Sequence, residues 1–154
     1  MAPTEVSEVS AAAAAAPIVD KMDRVALSPA PPGALACQRN SSLRSLRTAV
    51  HACHELVAPV TKKTKAQRFY ELELYDTVLF PEGGGQPWDT GNINGVLVDQ
   101  VYVKDGRCLH RVPVKDEEPA PFVEGQEVAV NVDWARRFDH MQQHSAQHLF
   151  SAIS

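Results

Sequence analysis

The chain has 154 residues, 44% of them hydrophobic, and a formal net charge of -4, which suits one modest globular domain and a tail. That acidic balance argues against a protein that grips nucleic acid by broad phosphate neutralisation, so any nucleic-acid contact must be local. Three cysteines, Cys37, Cys53 and Cys108, form no C-x-x-C pair, which argues against a disulfide framework and for a reducing compartment, the cytoplasm first.

Residues 1–36 are dominated by Ala, Pro, Ser and Val, with "SPAPPG" near their end at 28–33. Such a segment buries too little apolar surface to offset its ordering entropy, so it is expected to be a disordered extension. No apolar run approaches the roughly 20 residues needed to cross a bilayer, and no membrane partner is expected. Residues 28–54 carry no acid and are rich in Ser and Arg, as an organelle transit peptide is; Glu5, Glu8, Asp20 and Asp23 precede them and speak against it.

The folded part is expected to start near Cys37. "RTAVHACHELV" has the β-branched and apolar content of a strand, although its alternation is poor. From Phe69, the residues Tyr70, Leu72, Leu74, Val78 and Phe80 alternate with Glu71, Glu73 and Thr77, which is the period of a strand half-buried on one face. Asp76 interrupts this pattern and marks a bulge or corner. "PEGGGQPWDTG" follows as an ordered loop or turn. "GVLVDQVYV" and "RCLHRVPV" flank Lys104-Asp105-Gly106, where Asp-Gly signals a hairpin. In "QEVAVNVDW", Val128, Val130, Val132 and Trp134 share a face. Closely spaced turn signals without intervening helices predict a mainly β fold, a small antiparallel barrel or sandwich over residues 37–134.

After Trp134 the period changes. Phe138, Met141, Ser145, Leu149 and Ile153 fall at helical spacing, with no Gly or Pro from 135 to the end, so residues 135–154 read as a helix. It carries no stop signal and looks cut rather than finished.

His140, His144 and His148 lie four residues apart on that helix. Neighbours at i and i+4 have Cβ atoms about 5 to 6 Å apart, so two imidazoles can converge on one cation. All three cannot: His140 and His148 are separated by a rise of about 12 Å, beyond the reach of bonds of about 2 Å. One helix supplies at most half of a tetrahedral zinc shell. Cys108 and His110, i and i+2 on a strand, point to one face and are the other candidate soft ligands. The second unusual feature is the run Gly83, Gly84 and Gly85 followed by Gln86. Without Cβ atoms the backbone can take positive φ and admit a ligand closely, and Gln86 can donate and accept at once. A plain hairpin corner has the same composition. No nucleotide phosphate cradle is indicated, because neither G-x-G-x-x-G nor a following Lys-Ser/Thr is present.

Taken in order, "FPEGGGQP", a valine-rich strand region and "RRFDHMQQHSAQHL" resemble the N-terminal half of the alanyl-tRNA editing proteins, free-standing relatives of the alanyl-tRNA synthetase editing domain. "CQRNSS" at 37–42 is similar to the start of the eukaryotic members. The resemblance covers about 37–154. It implies a zinc-dependent deacylase that hydrolyses alanine tRNA mischarged with serine or glycine, a hydrolase of translation fidelity. The implied fold is a β-barrel carrying the glycine motif, joined to an α+β editing domain. It implies zinc ligands at His144 and His148, a second pair in a C-x-x-x-H motif, and substrate contact at Gly83, Gly84, Gly85 and Gln86. No C-x-x-x-H follows within these residues, so by the resemblance the chain is expected to hold half a zinc site and the first helix of a truncated α+β domain; no catalytic residue is assigned. The alternative is a non-catalytic barrel that binds a tRNA acceptor or a protein. A self-contained metal site using Cys108, His110, His144 and His148 is the weaker third.

Overall fold

The computed structural model describes residues 28–57, 68–115 and 118–153. The expected extension lies outside these residues up to position 27. These residues form seven strands: β1 Ser45–Val57, β2 Arg68–Leu74, β3 Gly91–Ile93, β4 Val96–Val98, β5 Gln100–Lys104, β6 Arg107–Val114 and β7 Glu127–Val132. A short helix α1, Ala36–Arg39, precedes them and α2, Trp134–Ile153, follows.

All pairings are antiparallel, in the order β4-β3-β7-β1-β2-β6-β5. The two edge strands, β4 and β5, are consecutive in the chain and separated only by Asp99, so the edges must meet. The Asp99 amide donates to the Arg111 carbonyl of β6 at 2.8 Å. The sheet therefore curls into a nearly closed barrel, which leaves little unpaired edge. Its interior is filled by Val50, Leu72, Val78, Ile93, Val101 and Val130, each fully buried and each contributing roughly 1.5 to 3 kcal/mol of transfer free energy.

The Asp105-Gly106 hairpin forms as expected, with φ of 52° and 72°, the positive pair of a type I′ turn. A second such turn, Asn94-Gly95 with φ of 49° and 83°, joins β3 to β4 at the start of the expected "GVLVDQVYV" strand, which breaks at Asp99 into β4 and β5. Asn-Gly is itself a strong hairpin signal; what obscures it is the shortness of the strands it joins, three residues each.

The interruption expected at Asp76 is a corner: β2 ends at Leu74, and the bend that follows is pinned by Asp76, whose carboxylate accepts from the Ala36 amide at 2.7 Å. A ladder irregularity lies in β1, between Val50 and Ala52 opposite Leu74 and Glu73. One expectation needs correction: Glu71, Glu73 and Thr77 are all buried rather than facing water. β2 lies inside the sheet, between β1 and β6, and long neighbours close over its outer face. Tyr102 donates its hydroxyl to Glu71, while His51 at 3.1 Å and Arg107 at 3.7 Å reach Glu73.

Packing also begins ahead of Cys37, because Leu35 and Ala36 are buried. The α1 turn is held by Gln38, whose side-chain oxygen accepts from the Gly33 and Leu35 amides at 2.7 and 3.1 Å.

Candidate functional site

Helix α2 starts where β7 ends, and Asp133 caps it: its side chain accepts from the Arg136 amide at 3.3 Å and its carbonyl from the Arg137 amide at 3.1 Å. The first two turns lean on the barrel. Trp134 lies under the Arg44 guanidinium at 4.4 Å and against Phe138. From Gln142 to Ile153 every residue is exposed.

His144 and His148 stand on that exposed half. Their rings cross at 76° with centroids 4.6 Å apart, and their Nε2 atoms are 3.0 Å apart. Two nitrogens bound at about 2.05 Å to one tetrahedral zinc are separated by about 3.3 Å, so the pair fits one cation with a small adjustment of rotamer. His140 is turned elsewhere; its Nδ1 is buried. Among the described residues no group of three or more His, Cys, Asp or Glu side chains is arranged to hold a metal ion.

Cys108 and His110 do not join the pair. Both lie buried in the barrel wall, since residues two apart on β6 share its inner face. His110 Nδ1 is 3.1 Å from the Leu72 carbonyl and Nε2 is 2.9 Å from Thr77 Oγ1, so neither nitrogen is free for a metal. Burial holds the His110 ring neutral, lowering its pKa from 6.5 to about 4, with only the Leu72 hydrogen bond opposing. Burial also raises the thiols of Cys108 and Cys37 to about 12, which leaves neither as a thiolate ligand or nucleophile. The four-ligand site of Cys108, His110, His144 and His148 is thus ruled out by tertiary placement.

The glycine run forms the tip of a loop between Phe80 and Asp89. Gly83 and Gln86 exchange backbone hydrogen bonds at 3.0 and 3.2 Å across Gly84 and Gly85, whose φ values are 61° and 81°. This is a two-residue turn of the type that requires positive φ at both positions. Gly83, Gly84 and Gly85 are exposed, and a Cβ on any of them would meet nothing within 4 Å; Gln86 is half-buried. The expected turn is present, with its amide-rich backbone open to approach.

The loop is tied down on two sides. Toward β5, the Glu82 amide donates to the Val101 carbonyl at 3.0 Å, and Trp88 Nε1 donates to the Asp99 carbonyl at 2.9 Å. At its base the Asp89 amide donates to the Phe80 carbonyl at 3.0 Å, and the Phe80 amide donates to the Asp89 carboxylate at 2.8 Å. Arg137 of α2 closes on this base. Its Nε donates to Asp89 at 2.7 Å, its Nη1 donates to the Ser41 carbonyl at 3.0 Å, and its Nη2 reaches both Asp89 and the Val78 carbonyl. Arg136 adds a contact to the Trp88 carbonyl at 3.4 Å. Asp89 and Arg137 escape a reading of the sequence, because opposite charges 48 positions apart give no local signal; only their place inside the two unusual stretches points to them.

No helix among the described residues is long and apolar enough to cross a membrane. No protein-family model matches the chain. Among curated proteins it is 43% identical over 124 residues to the alanyl-tRNA editing protein Aarsd1 of Bos taurus, covering 79% of this chain and 27% of that protein. It is 40% identical over 123 residues to the Danio rerio protein of the same name, covering 79% of this chain and 28% of that protein. To the alanyl-tRNA editing protein AlaX-L of Pyrococcus horikoshii it is 35% identical over 103 residues, covering 64% of this chain and 25% of that protein. The chain thus spans between a quarter and three tenths of the length of these relatives.

Proposed function

The chain is related by sequence to the alanyl-tRNA editing proteins, and from that premise we propose that it contributes the loop and the first zinc-binding helix of a deacylase acting on mischarged alanine tRNA. The observation that carries this reading is the convergence of His144 and His148 Nε2 atoms to 3.0 Å on a helix anchored to the base of the glycine loop. In this reading His144 and His148 hold zinc through neutral imidazoles, and further ligands come from outside the described residues. Zinc, when bound, supplies a water of pKa near 7 and a polarised ester carbonyl, which suits hydrolysis at neutral pH.

The protein's own groups bind and orient. The exposed backbone of Gly83, Gly84 and Gly85 accepts the close approach of a terminal ribose and its ester, which any side chain at those positions would crowd. Gln86, half-buried beside them, offers an amide that can donate to and accept from a hydroxyl. A serine ester carries that hydroxyl and an alanine ester does not, a difference that a matched hydrogen bond separates better than pocket shape. Glycyl esters fit the same open loop. The odd number of cysteines and the lack of a C-x-x-C spacing are the reason for placing the protein in a reducing compartment such as the cytoplasm.

A second reading is a non-catalytic barrel that holds a tRNA acceptor or a protein. It draws support from Leu149 and Ile153, which are 63% and 76% exposed and suit a covering partner. One experiment separates the two. Purified chain, mixed with the separately expressed remainder of an alanyl-tRNA editing relative that supplies the other ligands, is titrated with zinc against a chromogenic chelator and then incubated with seryl-tRNA of the alanine type. Zinc uptake that His148→Ala lowers at least tenfold, with serine release above the uncatalysed rate that Gln86→Ala reduces, supports the deacylase. Retention of tRNA without zinc uptake or serine release supports the binding module.

A further inference from the structure

The two most distinctive stretches of the sequence, "FPEGGGQPWD" and "RRFDHMQQHSAQH", meet in a single buried ion pair. Asp89 closes the first and Arg137 is the second residue of the other, and both side chains are withdrawn from solvent, at 1% and 0% exposure. Arg137 uses all three guanidinium nitrogens: Nε and Nη2 on Asp89, Nη1 on the Ser41 carbonyl, and Nη2 again on the Val78 carbonyl. Its plane lies over the Phe80 ring, 4.6 Å from the centroid. Asp89 in turn pinches the loop shut by accepting from the Phe80 amide at 2.8 Å. One arginine therefore grips both ends of the glycine loop and, at Ser41, the segment that leads into β1.

Such a pair is a poor device for stability alone. The desolvation of two buried charges consumes most of their attraction, and apolar side chains of equal volume commonly stabilise as well or better. What a planar guanidinium fork supplies that packing does not is direction, because its donors accept only one arrangement of oxygens. The helix is rigid over the next seven residues, a rise of about 10 Å, and those residues end at His144.

We infer that Arg137, acting through Asp89, is a positioning residue that fixes the Gly83–Gln86 turn relative to the His144–His148 pair. The mechanical part stands on the contacts alone; its value to catalysis rests on the proposed deacylase reading.

The two tryptophans of the chain sit at the two ends of this connection, Trp88 in the loop and Trp134 at the first position of α2. Labelled with 5-fluorotryptophan, they give separate fluorine signals, and Cu2+ bound at His144 and His148 broadens each according to its distance. In Arg137→Lys, which keeps the charge and loses the fork, the Cu2+-induced broadening of Trp88 is expected to change at least twofold while that of Trp134 holds. Hydrogen exchange at the Phe80 and Asp89 amides is expected to rise at least tenfold, with β1 and β2 amides within threefold. A second variant, Asp89→Asn with Arg137→Met, removes both charges in case the single change prevents folding, and the same loop-specific changes are expected. A cooperatively folded variant of either kind with unaltered Trp88 broadening and loop exchange overturns the positioning role. If Cu2+ broadens neither tryptophan, the His144–His148 reading fails, and the exchange rates still decide the role of Arg137.

Discussion

His110 makes the protein acid-sensitive by a calculable amount. The Leu72 carbonyl can only accept, so Nδ1 carries the ring proton, and Nε2 accepts from the Thr77 hydroxyl, which itself accepts from the Leu79 amide at 3.1 Å. No described acidic group lies on the ring, so a second proton would charge an imidazole in an apolar interior. The folded state therefore binds that proton only near pH 4, whereas an unfolded chain binds it near 6.5. Above 6.5 neither state is protonated and His110 contributes no pH dependence. Between 6.5 and 4 the unfolded state binds more protons, so stability falls with pH, and below 4 both states are charged and the slope vanishes. Integrated from pH 7.5 to 5, the loss is about 2 kcal/mol, a large share of a stability of about 5 to 15 kcal/mol. Urea unfolding followed by tryptophan fluorescence across this range measures it. His110→Gln keeps an amide for hydrogen bonding and cannot titrate, so it is expected to be less stable at pH 7.5 yet to lose about 2 kcal/mol less on acidification. Parallel pH profiles for the two proteins would falsify this account of the ring, as would an imidazole signal for His110 titrating near 6.5.

Two further outcomes test the packing. Gly91 pairs with Val132 on β7, and a Cβ there would lie 2.1 Å from the Asn131 carbonyl oxygen and 2.9 Å from Leu79. Because the obstacle is backbone, Gly91→Ala is expected to cost about 3 kcal/mol or more, read as a drop in the thermal midpoint; a change within about 0.5 kcal/mol, the usual range for surface sites, refutes the crowding. On α2, Leu149→Glu with Ile153→Glu removes apolar side chains that are 63% and 76% exposed. Light scattering is expected to show self-association of the parent chain that the double variant abolishes, and a monodisperse parent at high concentration counts against that patch being adhesive.

How much of this was present in the sequence depends on the range of the interaction that carries it. Period-2 runs and turn dipeptides are local, so the strands around Asp105-Gly106, the β7 face of Val128, Val130 and Val132, and the helix after Asp133 follow from the residues themselves. The His144–His148 pair follows too, because an i to i+4 spacing determines proximity within one helix. Closure of the barrel was decided by the fold alone: β4 and β5 become opposite edges only once β3, β7, β1, β2 and β6 have been ordered between them. Tertiary placement also buried Glu71, Glu73 and Thr77, which alternate as if they faced water. It removed Cys108 and His110 from any metal site by turning them inward. And it joined Asp89 to Arg137, since a contact between residues 48 positions apart is made by the folding of everything between them. The two stretches that look unusual as sequence are thus each legible alone; that they form one unit was written only in three dimensions.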